Sequence, residues 1–128
     1  MTAGSVSTSR DPILRVVPAP RDINANGHIF GGWILSQMDI AGGIVARQNA
    51  RGAVATVAID AMEFISPILL HDVISIYAKV ERRGRTSIAI RIEVMARRQD
   101  EDEVKVTEAL FTFVALDDDH QPRPLPPL

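Results

Sequence analysis

The segment from Asn24 to Asp39 carries the residues of this chain that are best suited to chemistry. Gly31 and Gly32 open an apolar helix, and their lack of side chains lets the backbone N–H groups of a helix start approach a ligand closely. The same helix carries one carboxylate, Asp39, which is costly to bury unless it is paired or used. Together these residues predict a carbonyl group polarised by N–H donors, with a base held nearby.

Composition excludes several other kinds of site. The chain has 128 residues, enough for one compact domain, with a net charge of −2 and no cysteine. No disulfide, thiolate metal site or cysteine nucleophile is therefore available, and the charge gives no reason to expect nucleic acid as a partner. The three histidines lack metal-ligand spacing, so no metal is expected; they are His28, His71 and His120.

The two ends of the chain differ in composition from its middle. Residues 1–11 are polar and predict a disordered lead that lacks the apolar core of a signal peptide. Residues 12–120 form the domain, and residues 121–128 form a Pro-rich tail that we expect to be extended and loosely packed. No apolar run reaches the roughly 18–20 residues that a membrane span needs, so we expect a cytoplasmic protein with no membrane partner.

The apolar pattern predicts an α+β fold with one long helix. From about Gly32 to Ala50 apolar residues recur with a helical period, and the later segments are rich in β-branched residues that alternate with period two. Arg83, Gly84 and Arg85 form the turn of a hairpin. The predicted strands, which would make one antiparallel sheet, are residues 13–18, 54–64, 73–80, 88–96 and 104–116.

The helix is apolar on more than one side. One stripe includes Met38 and Val45, whereas Ile40 lies on the far side. Gly42 and Gly43 each cost roughly 1 kcal/mol relative to Ala in mid-helix, which indicates either close approach of another backbone or a ligand, or simply a weaker helix. Because one helix cannot cover both faces of a five-stranded sheet, we expect the other face or the edges to meet a partner in an obligate oligomer.

The motif of residues 24–39, NANGxIFGGWIxSQMD, resembles the signature of hotdog-fold acyl-CoA thioesterases, and of the YciA-type family in particular. Shorter similarities recur at residues 56–58, 64–67, 84–88 and 107–115, so the resemblance covers about residues 12–125. It implies the hotdog fold, a long central helix wrapped by a five-stranded antiparallel β-sheet. It also implies hydrolysis of acyl-CoA to free CoA and a carboxylic acid, without a cofactor because coenzyme A is part of substrate and product.

The resemblance further implies roles for residues of the motif. Asp39 would be the catalytic carboxylate, acting as general base on water or as nucleophile. The backbone N–H of Gly31, at the helix start with Gly32, would polarise the thioester carbonyl with help from the helix dipole. The side-chain amide of Asn24 would be a second donor, and the hydroxyl of Thr56 would orient the water or Asp39.

Each of these residues also has a purely structural interpretation. Asp39 can be a surface residue at the edge of the apolar stripe, and the glycine pair can be only a tight start of the helix. Asn is common in turns and Thr in strands, so Asn24 and Thr56 can serve the fold alone.

Coenzyme A carries phosphates, which require cations nearby. The resemblance places the hairpin around Gly84 close to the path of CoA. The candidates for CoA binding in this hairpin are therefore Arg82, Arg83, Gly84, Arg85 and Ser87. The alternative is a basic turn that only faces solvent.

Gly31 and Asp39 are too far apart to act together within one chain. They are eight residues apart, roughly 12 Å along a helix, so one thioester cannot readily touch both. A twofold axis between two antiparallel helices would bring Gly31 of one subunit near Asp39 of the other. We therefore expect two identical sites per dimer, and the resemblance suggests a trimer of dimers.

His28 departs from the family pattern, since close relatives often carry Asp there. The change adds a titratable group beside the site, with expected effects on pH dependence or chain preference. A hotdog hydratase or dehydratase, which uses a His with a carboxylate, is therefore a second hypothesis, and a non-catalytic acyl-CoA-binding module is a third. The combination of Asn24 and Asp39 favours the hydrolase, and the sequence leaves the acyl chain length open.

Overall fold

The predicted order of elements is confirmed. The computed structural model describes residues 10–128, and its central element is the 20-residue helix α1 (Gly31–Ala50). A short 3-10 turn (Pro20–Asp22) precedes α1. The strands are β1 (Leu14–Val16), β2 (Val54–Phe64), β3 (Val73–Arg83), β4 (Ser87–Arg97) and β5 (Val104–Ala115). Within residues 10–128, no helix is long and apolar enough to cross a membrane.

The five strands form one antiparallel sheet in the order β1-β3-β4-β5-β2. β1 and β2 are therefore its two edges, an arrangement that periodicity in the sequence does not reveal. One row of paired residues runs across the sheet from Thr56 through Phe113 and Ile88 to Arg83. Thr56 and the hairpin that follows Arg83 thus lie at the same end of the sheet.

Helix α1 lies across one face of the sheet and closes the core. A Cβ atom on Gly42 would stand 2.7 Å from Ile92 Cδ1 and 2.9 Å from Phe113 Cζ. The close approach expected at this glycine is therefore real, but it is made by side chains of the sheet rather than by a backbone or a ligand. The almost fully buried side chains of the sheet include those of Ile74, Ile76, Ile88, Ile90, Ile92, Val94, Phe111 and Phe113.

The opposite face of the sheet carries charged side chains. Glu93 accepts hydrogen bonds from Lys105 and Arg10, at 2.7 Å and 2.5 Å, and these contacts lower the pKa of Glu93 from 4.5 to about 2. Hydrogen bonds to Glu108 and Glu93 raise the pKa of Lys105. Arg10 also stacks on Tyr77, with its guanidinium carbon 3.9 Å from the ring centroid. This face is therefore held by a network of ion pairs instead of an apolar layer.

Edge strand β2 and the adjacent side of α1 expose large apolar side chains. Pairing of β2 with β5 is irregular between Thr56 and Ala58 and again between Asp60 and Glu63. Such bulges bend an edge strand and redirect its side chains. The exposed fractions lie between 36% and 58% for Ile40, Ile44, Val57, Ile59, Phe64 and Ile65.

The C-terminal end of the domain differs from the prediction, whereas most of the predicted lead is not tested. Of the expected lead, residues 1–9 lie outside the described residues, but Arg10 contacts the sheet through Glu93. The tail was expected to be loosely packed, and this prediction is wrong. Leu116 forms a bridge with Pro122, and the N–H of Leu125 donates to the carbonyl of Arg85 at 2.8 Å. The composition of the tail does not show backbone hydrogen bonds of this kind, so its proline content alone predicted loose packing.

Candidate active site

The turn before α1 is held together by the side chain and the backbone N–H of Asn24. Its side-chain Oδ1 accepts hydrogen bonds from the backbone N–H groups of Asn26, at 2.9 Å, and His28, at 3.1 Å. Its own N–H donates to the carbonyl of His28 at 2.6 Å. Two N–H donors can only point at an oxygen, so the amide nitrogen of Asn24 must point away from the turn. No residue in the described part of the chain accepts a hydrogen bond from that nitrogen.

The start of α1 offers backbone donors. Phe30 precedes the helix and provides no side-chain cap. Within α1, the first N–H with a backbone acceptor is that of Trp33, which donates to the carbonyl of Phe30 at 3.1 Å. The N–H groups of Gly31 and Gly32 have no acceptor among residues 10–128, as expected for the orphan donors of a helix N-terminus. A Cβ atom on Gly31 would lie 3.5 Å from the ring of Phe64. An aromatic side chain from the end of β2 therefore lies against this helix start.

These groups surround one pocket of about 240 Å³. We call it the donor pocket, because Asn24 and Gly31 line one side of it and provide N–H groups. His28 lines it as well. The other walls are largely apolar and come from α1 and from the segment after β2, through Ile29, Ile34, Phe64, Ile65, Ser66, Pro67 and Ile68. The family motif directed attention to Asn24 and Gly31, whereas the role of residues 64–68 as a wall was missed because it depends on the path of the chain after β2.

Asp39 lies elsewhere on α1 and is paired with Thr56. The hydroxyl of Thr56 donates to the Asp39 carboxylate at 2.5 Å. Both residues are exposed in the single chain, and Thr56 precedes the irregular step in β2 that also brings Val57 to the surface. We call these two residues the carboxylate pair. The carboxylate is therefore held in place by a strand hydroxyl while it remains open to a reactant.

One chain does not bring the donor pocket and the carboxylate pair together. Asp39 and Thr56 are absent from the residues that line the donor pocket, and eight residues of helix separate Gly31 from Asp39, a rise of about 12 Å. Each chain thus carries two separate features, one with N–H donors and an apolar wall, the other with a carboxylate.

The basic hairpin is a three-residue turn between β3 and β4. The N–H of Gly84 donates to the carbonyl of Ser87 at 2.8 Å, and a Cβ atom on Gly84 would stand 2.8 Å from Ser87 Oγ. A side chain at position 84 would therefore require the Ser87 hydroxyl to rotate away. Arg83 directs its guanidinium to the carbonyl of Pro126 at 2.5 Å, whereas Arg82 and Arg85 are exposed. The three arginines are thus not equivalent, a distinction that the sequence does not make.

Comparison with known proteins identifies the family. The model of the Thioesterase superfamily matches residues 26–103. The acyl-CoA thioester hydrolase YciA of Salmonella typhimurium is 45% identical over an alignment of 130 residues, which covers 98% of each chain. The hexameric thioesterase y2039 from Yersinia pestis superposes with a TM-score of 0.88 at 46% identity, over 92% of this chain and 97% of that chain.

A second solved structure supports the fold assignment. Cj0915 of Campylobacter jejuni, a hexameric hotdog fold thioesterase, superposes with a TM-score of 0.87 at 41% identity, over 91% of both chains. The single helix on a five-stranded antiparallel sheet agrees with this architecture. The chain therefore belongs to the thioesterase superfamily, in the YciA-type group of hotdog-fold acyl-CoA thioester hydrolases.

Proposed function

We propose that the protein hydrolyses acyl-CoA thioesters to free CoA and a carboxylic acid, in sites built from two copies of the chain. The names of its relatives support the reaction. The observation that carries the mechanism is the carboxylate pair, in which Thr56 holds Asp39 at 2.5 Å on an exposed surface.

In the proposed site the two halves act on opposite sides of the thioester. The N–H of Gly31, at the start of α1, and the amide of Asn24 donate to the carbonyl oxygen and stabilise the negative charge that develops on it; one such donor is typically worth about 10²–10³ in rate. Asp39 either removes a proton from the attacking water or attacks the carbonyl carbon itself. In both cases the C–S bond breaks, the thiolate leaves and is protonated, and water supplies the oxygen of the new carboxylic acid.

A dimer provides this combination. Two α1 helices related by a twofold axis would place the donor pocket of one subunit beside the carboxylate pair of the other. β2 and α1, the two elements that carry the carboxylate pair, expose apolar side chains and support an interface there, because an unpaired apolar edge strand exposed to water favours association. Since several related thioesterases are hexameric, we propose that three such dimers assemble.

Arg82 and Arg85 are the proposed contacts for the phosphates of coenzyme A. Both are exposed, and their hairpin lies at the end of the sheet that also carries Thr56. Guanidinium groups bind phosphate oxygens through short charge-assisted hydrogen bonds. The proposal therefore assigns the nucleotide end of the substrate to this hairpin and the thioester to the interface between subunits.

One observation favours a second candidate reaction. His28 lines the donor pocket beside Gly31, where an imidazole next to an acyl thioester suits the proton transfers of a hydratase or dehydratase. Crotonyl-CoA distinguishes the two reactions. A hydratase adds water across its double bond without releasing free thiol, whereas a thioesterase releases CoA.

The test is a thiol-release assay with acyl-CoA substrates from acetyl-CoA to palmitoyl-CoA. Asp39→Ala and Asp39→Asn should lower kcat by at least about 10², while binding of CoA measured by calorimetry changes little. Asp100→Asn, which alters an exposed carboxylate in the β4–β5 loop, is the matched control. Undiminished hydrolysis in both Asp39 variants would refute the mechanism, and no hydrolysis by the wild type would refute the reaction.

A further inference from the structure

The chain beyond β5 returns to the domain and crosses the basic hairpin. We call residues 122–126 the C-terminal strap. The strap begins at the bridge between Leu116 and Pro122, and Leu125 packs partly buried against the core. It is therefore a packed part of the domain, and it touches the hairpin that the proposed function assigns to coenzyme A.

Arg123 anchors the strap to two elements. Its N–H donates to the carbonyl of Ala115 at 2.9 Å, and its Nε donates to the carbonyl of Leu116, also at 2.9 Å. Its Nη2 donates to the carbonyl of Ala50 at 2.8 Å. Ala50 is the last residue of α1, where carbonyl groups lack helical partners and a cation is favourable. Arg123 thus ties the end of the helix to the end of β5.

The next residues of the strap bind the hairpin itself. The N–H of Leu125 donates to the carbonyl of Arg85 at 2.8 Å, which fixes the backbone of the turn. The carbonyl of Pro126 accepts a hydrogen bond from Arg83. The strap therefore binds the guanidinium of Arg83 and restrains the backbone of the turn. Arg82 and Arg85 remain exposed.

We propose that the C-terminal strap is a positioning element for coenzyme A, which holds the hairpin so that Arg82 and Arg85 meet the phosphates. The inference rests on the proposed role of this hairpin. Restraining the turn before binding removes part of the entropic cost of ordering the backbone that carries these two arginines. The strap therefore acts on the nucleotide end of the substrate and not on the thioester.

A substrate pair separates this role from a general contribution to folding. An acyl-CoA and the S-acyl-N-acetylcysteamine with the same acyl group share the thioester, but only the first has phosphates. A chain lacking residues 124–128 should show a KM for acyl-CoA raised about tenfold, the effect of one lost contact with a charged group. Its kcat, and its kcat/KM for the N-acetylcysteamine ester, should stay unchanged within about twofold.

Two controls keep the test decisive. Deletion of Leu128 alone, whose side chain is 99% exposed, should leave both substrates unaffected. If the truncated chain does not fold, two variants of Leu125 replace it in the test. Leu125→Pro removes the N–H that donates to Arg85, whereas Leu125→Ala shortens the side chain but keeps that N–H. The Pro variant should then raise the KM for acyl-CoA above that of the Ala variant, and equal values would overturn the inference.

The outcomes also separate the strap from the hairpin. Equal losses of kcat/KM for both esters, or no change for either, would overturn the role of the strap. Arg82→Gln and Arg85→Gln test the hairpin independently, since they should raise the KM for acyl-CoA alone. If these two variants behave as expected and the truncation does not, only the strap inference fails; if neither variant changes the KM, the assignment of phosphate binding to the hairpin fails.

Discussion

Asn24 presents two chemically different atoms in two directions. Its Oδ1 accepts two backbone N–H groups and holds the turn, and its amide nitrogen is directed away from those donors. The structural and catalytic interpretations of this residue therefore do not compete. The hydrogen bonds that shape the turn also orient the N–H donor that the proposed mechanism uses.

Replacing Asn24 by Asp separates the two roles. Asp keeps an oxygen acceptor for the N–H groups of Asn26 and His28, but it loses the donor and adds a negative charge where negative charge develops in the reaction. Asn24→Asp should lower kcat by about 10² or more while the melting temperature stays near that of the wild type. Asn24→Ala should lower both, and a fully active Asp variant would contradict the donor role.

The sequence proposes individual candidate site residues but not the distant residues that contact them. Asn24, Gly31, Asp39 and Thr56 are candidates because short segments that resemble a known family contain them. The partners that complete the picture lie far away in the chain: Phe64 lies against Gly31, and Pro126 accepts from Arg83. Such contacts depend on how the chain folds back on itself, and a single sequence does not show which distant residues meet.

Two adjacent glycines of α1 have opposite surroundings. A Cβ atom on Gly42 would overlap Ile92 and Phe113, whereas a Cβ atom on Gly43 would have no neighbour within 4 Å in the described structure. Both substitutions by Ala bring the same gain in helix propensity. The difference between the two variants therefore measures only the cost of overpacking the core.

Gly42→Ala should be less stable than Gly43→Ala by about 1–3 kcal/mol, the usual cost of extra atoms in a well-packed core. The free energy of unfolding by urea, measured at one protein concentration, provides the comparison. Equal stability of the two variants would show that α1 lies farther from the sheet than the distances to Ile92 and Phe113 indicate.

The ion pairs on the outer face of the sheet predict an acid-dependent contribution to stability. The pKa of Glu93 is about 2 in the folded chain and 4.5 without its partners, so the folded state binds this proton less readily than the unfolded state. The contribution is complete above pH 4.5 and is lost as the pH falls toward 2. Its size should be about 1 kcal/mol, since partly exposed ion pairs rarely contribute more.

Glu93→Gln measures this contribution. The variant should be less stable than the wild type at pH 7, and the difference should shrink between about pH 4.5 and pH 2. Glu101→Gln, an exposed residue that forms no ion pair with the described residues, is the control. A difference that stays constant down to pH 2 would mean that Lys105 and Arg10 do not stabilise the Glu93 carboxylate.

At the level of elements, periodicity predicts what each segment is but not which segments are neighbours. The helix and all five strands were predicted close to their observed bounds because their apolar patterns are long and regular. The placement of β2 beside β5 was not predicted, since hydrogen-bond pairing between strands distant in sequence leaves no local pattern. That placement matters for the proposed mechanism, because it puts Thr56 on an edge and next to α1.

For the molecule as a whole, the separation of the donor pocket from the carboxylate pair is the central fact. The spacing of Gly31 and Asp39 already predicts it, because a helix has a fixed rise per residue. The structure adds that Thr56 forms a hydrogen bond with Asp39 and that the ring of Phe64 lies next to Gly31. The two ends of β2 therefore contact different parts of α1, which the proposed function assigns to different halves of the site.

Complementation between two inactive variants tests whether the halves come from different subunits. In a mixed dimer of Asp39→Ala and Asn24→Asp, one site carries both substitutions and the other carries neither. Refolding the two variants together at equal amounts should form mixed dimers in half of the population, so about one quarter of all sites should be intact. Thiol release from an acyl-CoA should recover to about that fraction of wild-type activity.

Each variant refolded alone should remain inactive, which shows that recovery depends on mixing. If one chain supplied both Asp39 and Asn24 to the same site, every chain in the mixture would carry a defect and no activity would return. The result thus separates a shared site from a site within one chain without assuming which group attacks the thioester. Because intact sites arise only where the pocket of one subunit faces the carboxylate pair of another, recovered activity would establish that each site is shared between subunits, as the proposed twofold arrangement requires.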